Sequence, residues 1–276
     1  MRVQFAKMHG LGNDFVLFDA VNQDVQLSRE QVLQIADRRR GIGCDQILVV
    51  RAAKEAGADF DYRIYNSNGE EAEQCGNGVR CIGKFLAHSK LTNNSSIRVR
   101  TVSGVYRVDL RDDGLVTVEM GVPVLEPRDI PFAAAKASAR YTLQVDGQPV
   151  EIGAVSMGNP HAVIEVEDIE HAPVGTLGPR IETHSMFPNK ANVGFMQVLD
   201  TRHVALRVFE RGAGETAACG TGACAAVVVG RIWNRLDSKV TVQLPGGQLL
   251  VECSHPSRSV LMTGPAELSF EGSLTL

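Results

Sequence analysis

The feature that most constrains this chain is a short motif that occurs twice. Gln74-Cys75-Gly76-Asn77-Gly78 returns as Ala218-Cys219-Gly220-Thr221-Gly222. Other positions recur at nearly the same offset: Gly12-Asn13-Asp14 against Gly158-Asn159-Pro160, Gln46 against Asn192, and Asn66 against Glu210. A chain that echoes itself at a fixed spacing folds as repeated units. Its 276 residues leave room for two, since a domain typically has about 100–150 residues. The spacing therefore predicts two pseudo-symmetric halves. Residues 1–120, completed by 264–276, carry Cys75, and residues 121–263 carry Cys219.

Period-two alternation dominates both halves and predicts strands at Phe60–Tyr65, Ile97–Thr101, Val116–Met120, Val204–Phe209 and Val240–Leu244. Asp113-Gly114 and Asp146-Gly147 punctuate them as turns. Helices are fewer. One spans Ser28 to Arg38, with Ser28 and Gln31 at capping-box spacing and Gly41 beyond its end. Each repeated motif opens another, from Gly76 to about Ser89 and from Gly220 to about Leu236. The second contains Ala223 to Val229, which is apolar all round and so buried on every side. The fold class is α+β, each half a mostly antiparallel sheet or barrel wrapped around a central helix.

A cysteine just before a helix lies beside unpaired backbone N–H groups and the positive end of the dipole. Such a thiol is expected to have a lowered pKa and to be available as thiolate. The glycines let a ligand approach the backbone and leave N–H groups open to an anion. One such turn suits a nucleophilic cysteine enzyme or a structural thiol equally. Two, related by a repeat, bring two helix N-termini to one small site. Inverting an amino-acid α-carbon needs a base on one face and an acid on the other, and a thiolate and a thiol supply both. Backbone donors that hold the α-carboxylate as charge builds on it can each be worth about 3–4 kcal/mol. No pyridoxal lysine or metal is then needed. Between the motifs, Asn13 suits either ligand binding or a turn. Glu210-Arg211 leads towards Cys219 and suits a zwitterion. His161 suits either a structural role or the tuning of a cysteine.

Rival chemistries fit less well. Cys75 with Cys81, and Cys219 with Cys224, point far apart round a helix at about 100° per residue, and no histidine pair completes a zinc set. Cys44, Cys81, Cys224 and Cys253 read as small core or surface residues. There is no Cys-x-x-Cys, which argues against a thiol redox protein. Six cysteines in 276 residues do not make a disulfide framework. With no signal-peptide pattern at Met1 to Phe5, free thiols in a cytoplasm are expected. A net charge of −4 and the lack of a long Lys/Arg cluster give no sign of a polyanion partner. No apolar run is long enough to span a bilayer. The run Arg38-Arg39-Arg40 reads as positive charge at a helix C-terminus.

Taken in order, five segments resemble the diaminopimelate epimerase family over essentially the whole chain. They are Met8-His9-Gly10-Leu11-Gly12-Asn13-Asp14-Phe15, Gly41-Ile42-Gly43-Cys44-Asp45-Gln46, Gln74 to Gly78, Ser156-Met157-Gly158-Asn159-Pro160-His161, and Glu210 to Thr216 leading into Cys219 to Gly222. The resemblance implies interconversion of LL- and meso-diaminopimelate without pyridoxal phosphate, for lysine and peptidoglycan precursors, with Cys75 and Cys219 as acid and base. It implies that Gly76, Asn77, Gly220 and Thr221 hold the carboxylate at the reacting centre. Asn13, Gln46, Asn66, Asn159, Asn192, Glu210 and Arg211 surround the substrate, and His161 and Glu210 adjust the thiols. It also implies a homodimer. Thr221 replaces a common serine and Phe270 a tyrosine found in some relatives. The nearest alternative is a proline- or hydroxyproline-type racemase, and a non-catalytic binding module is a further one.

Overall fold

The computed structural model describes residues 2–72 and 76–276. The chain forms two compact units. One comprises residues 1–118 with 264–276, the other residues 119–263.

The first unit opens with β1 (Arg2–Gly10) and β2 (Asn13–Asp19), followed by α1 (Arg29–Ala36), β3 (Gln46–Ala52), β4 (Phe60–Asn66) and the short β5 (Glu71–Ala72). Then come α2 (Gly76–His88), β6 (Ser96–Thr101), β7 (Gly104–Leu110) and β8 (Val116–Glu119). The second unit repeats the plan. Its elements are β9 (Tyr141–Val145), β10 (Gln148–Ser156), β11 (Pro160–Glu165), α3 (Val174–Glu182), β12 (Asn192–Asp200), β13 (His203–Glu210) and β14 (Gly214–Thr216). They continue with α4 (Gly220–Ile232), β15 (Lys239–Leu244), β16 (Gly247–Glu252) and β17 (Leu261–Gly264). The chain then returns to the first unit as β18 (Glu267–Thr275), antiparallel to β1.

Strand pairing makes the repeat explicit. β1–β2, β3–β4 and β6–β7 are antiparallel, and β2–β3 and β4–β6 parallel. In the second unit β10–β11, β12–β13 and β15–β16 are antiparallel, and β11–β12 and β13–β15 parallel. Register is shared too. Phe15 lies opposite Gln46, and His161 opposite Asn192. Asn13 and Asn159, each two residues earlier, thus occupy equivalent corners. Among the described residues no pairing within either unit closes its sheet, so each unit is an open sheet and not a barrel.

Each sheet wraps one helix. α2 touches β1, β2, β3 and β7, and α4 touches the equivalent β10, β11, β12 and β16. α4 is buried from Gly220 to Gly230. Its Val227-Val228-Val229 run is a poor helix former on propensity. Burial decides: each buried valine is worth about 1.5–3 kcal/mol, against a few tenths lost in propensity. The other face of the first sheet is covered by α1. Val16, Phe18, Ile47 and Val49 alternate along β2 and β3 to meet Val32 and Ile35.

Ser28 caps α1 reciprocally with Gln31: the Gln31 amide donates to Ser28 Oγ at 3.2 Å, and the Ser28 amide to Gln31 Oε1 at 2.8 Å. The helix ends at Ala36, short of Arg38, because Asp37 is extended there and accepts the Arg39 and Arg40 amides. α2 ends at His88 and α4 at Ile232. α3 carries no signal that sequence patterns reward, since it contains Gly175, Gly178 and an internal Pro179. It forms because Val174 and Ile181 enter the second unit's core.

Candidate active site

In the second unit Cys219 is the N-cap of α4 and only 4% exposed. Its Sγ lies 3.6 Å from Thr221 Oγ1. Gly222 makes room for it, since a Cβ there would stand 3.2 Å from Sγ and 3.0 Å from Val208 Cγ2. The first amides of α4 have no partner in the helix. Burial pushes the Cys219 thiol well above its ordinary value, and the Glu210 carboxylate pushes it further. Bonds from Thr221 and the Gly222 amide oppose this only in part. The expectation of a lowered pKa is thus overturned here: desolvation exceeds the helix-end contribution, and the Cys219 pKa is raised.

Glu210 ends β13 and accepts the Thr216 hydroxyl. His161 is 1% exposed and its Nε2 meets Asn159 Oδ1 at 2.9 Å. Burial, and then the Arg211 charge, hold His161 down to about 3, so the ring is neutral at physiological pH. The Asn159 amide nitrogen reaches Thr221 Oγ1 at 3.5 Å. Asn192 spends both ends of its amide on the protein, donating to the Pro160 carbonyl (3.1 Å) and accepting the Arg211 amide (2.9 Å). It ties the start of β11 to the turn after β13. Arg211 is exposed, with Nη1 3.2 Å from the Asn189 carbonyl. Glu182 accepts the Gly212 amide at 2.9 Å and so anchors the same turn.

The first unit holds the matching corner. Gly76 and Asn77 open α2 and are buried. Cys75 lies outside the described residues. Asn77 Nδ2 donates to Asn13 Oδ1 at 3.3 Å, the counterpart of the Asn159–Thr221 contact. Gln46 Nε2 donates to Asn66 Oδ1 at 2.8 Å, and Gln46 Oε1 is buried with no hydrogen-bond partner among the described residues.

The family model for diaminopimelate epimerase matches residues 5–126 and 153–269. The chain belongs to the diaminopimelate epimerase family. Its relatives of that name include those of Alkalilimnicola ehrlichii, 56% identical, and Thioalkalivibrio sulfidiphilus, 54% identical, each matched over 100% of both chains. Similar solved structures include a PhzF-family phenazine biosynthesis protein from Bacillus anthracis, at a TM-score of 0.70 and 15% identity over 100% of both chains. Another is a hydroxyproline epimerase from Agrobacterium vitis, at a TM-score of 0.68 and 15% identity over 100% of this chain and 93% of that one. At such identity they speak for the fold.

Within this diaminopimelate epimerase fold, residues that motif spacing did not single out surround Asn13. Arg38 is not a helix-end charge. Its guanidinium meets Asp14 at 2.7 and 2.9 Å and Asp45 at 2.7 Å. Lys7 Nζ meets Asp14 at 2.6 Å and also the Gly43 carbonyl. Asp45 Oδ2 accepts Asn13 Nδ2 at 3.0 Å. Inside α2, Arg80 is fully buried and donates from Nη2 to Asn77 Oδ1 at 2.8 Å. The one sequence signal for Arg80 was its place at i+3 from Asn77, in the helix that the repeated motif opens. Cys44, Cys81, Cys219, Cys224 and Cys253 are all buried.

Proposed function

We propose that this chain interconverts LL- and meso-diaminopimelate by two-base proton transfer between Cys75 and Cys219, for lysine and peptidoglycan precursor synthesis. A thiolate removes the α-proton as its S–H bond forms and the Cα–H bond breaks. The electron pair spreads towards the α-carboxylate, and the opposite thiol returns a proton to the other face. The two sulfurs leave with exchanged roles. The observation that carries this reading is the place of Cys219 itself, a buried thiol at the N-cap of α4, with the Glu210 carboxylate near enough to raise its pKa. Cys75 stands at the same motif position in the first half.

Gly76, Gly220 and Thr221 would take the α-carboxylate through helix-end amides, and Asn77 through its helix-end amide and its side-chain amide together. Gln46 Oε1, a buried acceptor with no partner among the described residues, suits a substrate ammonium. Asn13, Asn66, Asn159, Asn192, Glu210 and Arg211 complete the enclosure, with His161 as a neutral neighbour. A cytoplasmic homodimer is the proposed form. Six cysteines with no disulfide-framework spacing favour a reducing compartment, and β18 presents Leu268 and Phe270 at 37% and 49% exposure.

The test is turnover of LL-diaminopimelate in deuterated water. Early product should carry deuterium at the inverted centre while recovered substrate stays nearly unlabelled. Equal early labelling would mean a single base. Cys75→Ala and Cys219→Ala should each nearly abolish turnover and leave far-UV circular dichroism unchanged. Turnover of trans-4-hydroxyproline in place of diaminopimelate would point to the racemase alternative.

A further inference from the structure

The first unit contains a chain of charge-assisted bonds. It begins at the Pro265 carbonyl, which accepts Arg80 Nε at 3.1 Å. Arg80 Nη2 occupies Asn77 Oδ1 at 2.8 Å, which turns the Asn77 amide so that its Nδ2 faces Asn13 Oδ1 at 3.3 Å. Asn13 then points its own Nδ2 at Asp45 Oδ2, 3.0 Å away. Asp45 Oδ1 is held at 2.7 Å by Arg38, whose other bonds go to Asp14. β1 closes over this chain, for a Cβ on Gly10 would stand 3.1 Å from Arg80 Nη2 and 3.4 Å from Asn77 Cβ.

An amide side chain presents a donor at one end and an acceptor at the other, and only its partners decide which faces which way. Here both amides are set from their outer ends by ions. A guanidinium cannot accept and a carboxylate cannot donate, so neither Asn77 nor Asn13 can flip without losing a charge-assisted bond. In the second unit the same corner uses neutral partners. Asn159 meets Thr221 and the neutral His161, and the motif position of Arg80 is taken by Cys224.

We propose that Arg80 and Arg38 are positioning residues, which lock the amide orientations of Asn77 and Asn13 from opposite ends of one chain. The proposal rests on the reading of Asn77 and Asn13 as substrate-holding groups. Neither arginine need touch the substrate. Each acts through one amide, and that is what the test isolates.

The experiment is a pair of double-mutant cycles on the full chain, read as kcat/KM for LL-diaminopimelate with thermal melts alongside. Arg80→Met should lower kcat/KM about 100-fold, the scale of a misplaced reacting geometry. In an Asn77→Ala background the same change should lower it less than about threefold, because residues that act through one another are not additive. Arg38→Met, at an exposed side chain, should behave likewise against Asn13→Ala. A purely structural arginine would move the melting temperature and cost the same factor in both backgrounds, and that result overturns the proposal. If Arg80→Met does not fold, the Arg38 cycle decides. If Asn77→Ala and Asn13→Ala leave kcat/KM intact, the assignment of those residues to the substrate fails, and the proposal falls with it by a recognisably different result.

Discussion

Asp14→Ala is the perturbation whose cost is best worked from the structure. The Asp14 carboxylate side chain is 17% exposed and faces Lys7 (2.6 Å) and Arg38 (2.7 Å). The two cations are not equivalent. The Arg38 side chain is 57% exposed and keeps Asp45 after the change, so its loss is that of a surface pair, about 0–1 kcal/mol. The Lys7 side chain is 9% exposed and, among the described residues, would be left with the Gly43 carbonyl alone. Breaking a buried pair and stranding its partner costs about 3–5 kcal/mol. The surviving carbonyl bond favours the lower end, near 3 kcal/mol, or roughly 6–12 °C in Tm for a chain of this size. The pH dependence has a definite sign. Burial raises the Asp14 pKa, but Arg38 and Lys7 more than offset it and hold the carboxyl well below its ordinary 3.8. The pair's stabilisation is therefore complete above pH 3.8 and fades as pH falls towards the folded value. Urea unfolding at pH 7 and pH 3, followed by far-UV circular dichroism, tests this. Trp233 is the single tryptophan and sits in the other unit, so its fluorescence is the wrong signal. A loss below about 1 kcal/mol at pH 7, or one equally large at pH 3, would refute the reasoning that Lys7 is desolvated and held by Asp14. Asp113→Ala, at an exposed carboxylate, should leave the melt unchanged.

Gly153→Ala would place a Cβ 2.4 Å from Val229 Cγ1 and 3.1 Å from Trp233 Cζ2. The forced shift of α4 should cost about 1–3 kcal/mol, and an unchanged melting temperature would show that the helix yields freely. His161 is held at about 3 when folded against an ordinary 6.5. The unfolded chain therefore binds the extra proton between those values, and stability drops as pH falls from 6.5 towards 3. His161→Gln should shrink the loss in urea stability between pH 7 and pH 5, and an identical loss in the variant would assign it elsewhere. Arg211→Met should lower kcat/KM for diaminopimelate far more than for lysine, which has no distal carboxylate for Arg211 to hold. Equal proportional losses would mean that Arg211 serves the turn anchored by Asn192 and Glu182.

The sequence by itself determined most of the architecture. The Cys-Gly-X-Gly duplication and its companions mark two halves, and the register of Phe15 with Gln46 and of His161 with Asn192 shows why. A repeat constrains backbone pairing, and pairing is a local, periodic property. The Ser28–Gln31 cap was legible for the same reason, since both partners lie within one turn. α3 was not legible. Its two glycines and Pro179 argue locally against a helix, and Val174 and Ile181 are rewarded only by a core assembled from distant strands. Motif position named the groups around Asn13 and Asn77 but not what orients them. Arg38 reaches Asp14 across twenty-four residues of chain, and Arg80 reaches the carbonyl of Pro265. Least legible was the charge on Cys219. A helix N-terminus favours the thiolate, and that much is written in the motif. Full burial and the approach of Glu210 from β13 work against it and win. A pKa sums interactions through space, and only the tertiary structure decides which groups stand within reach of the sulfur.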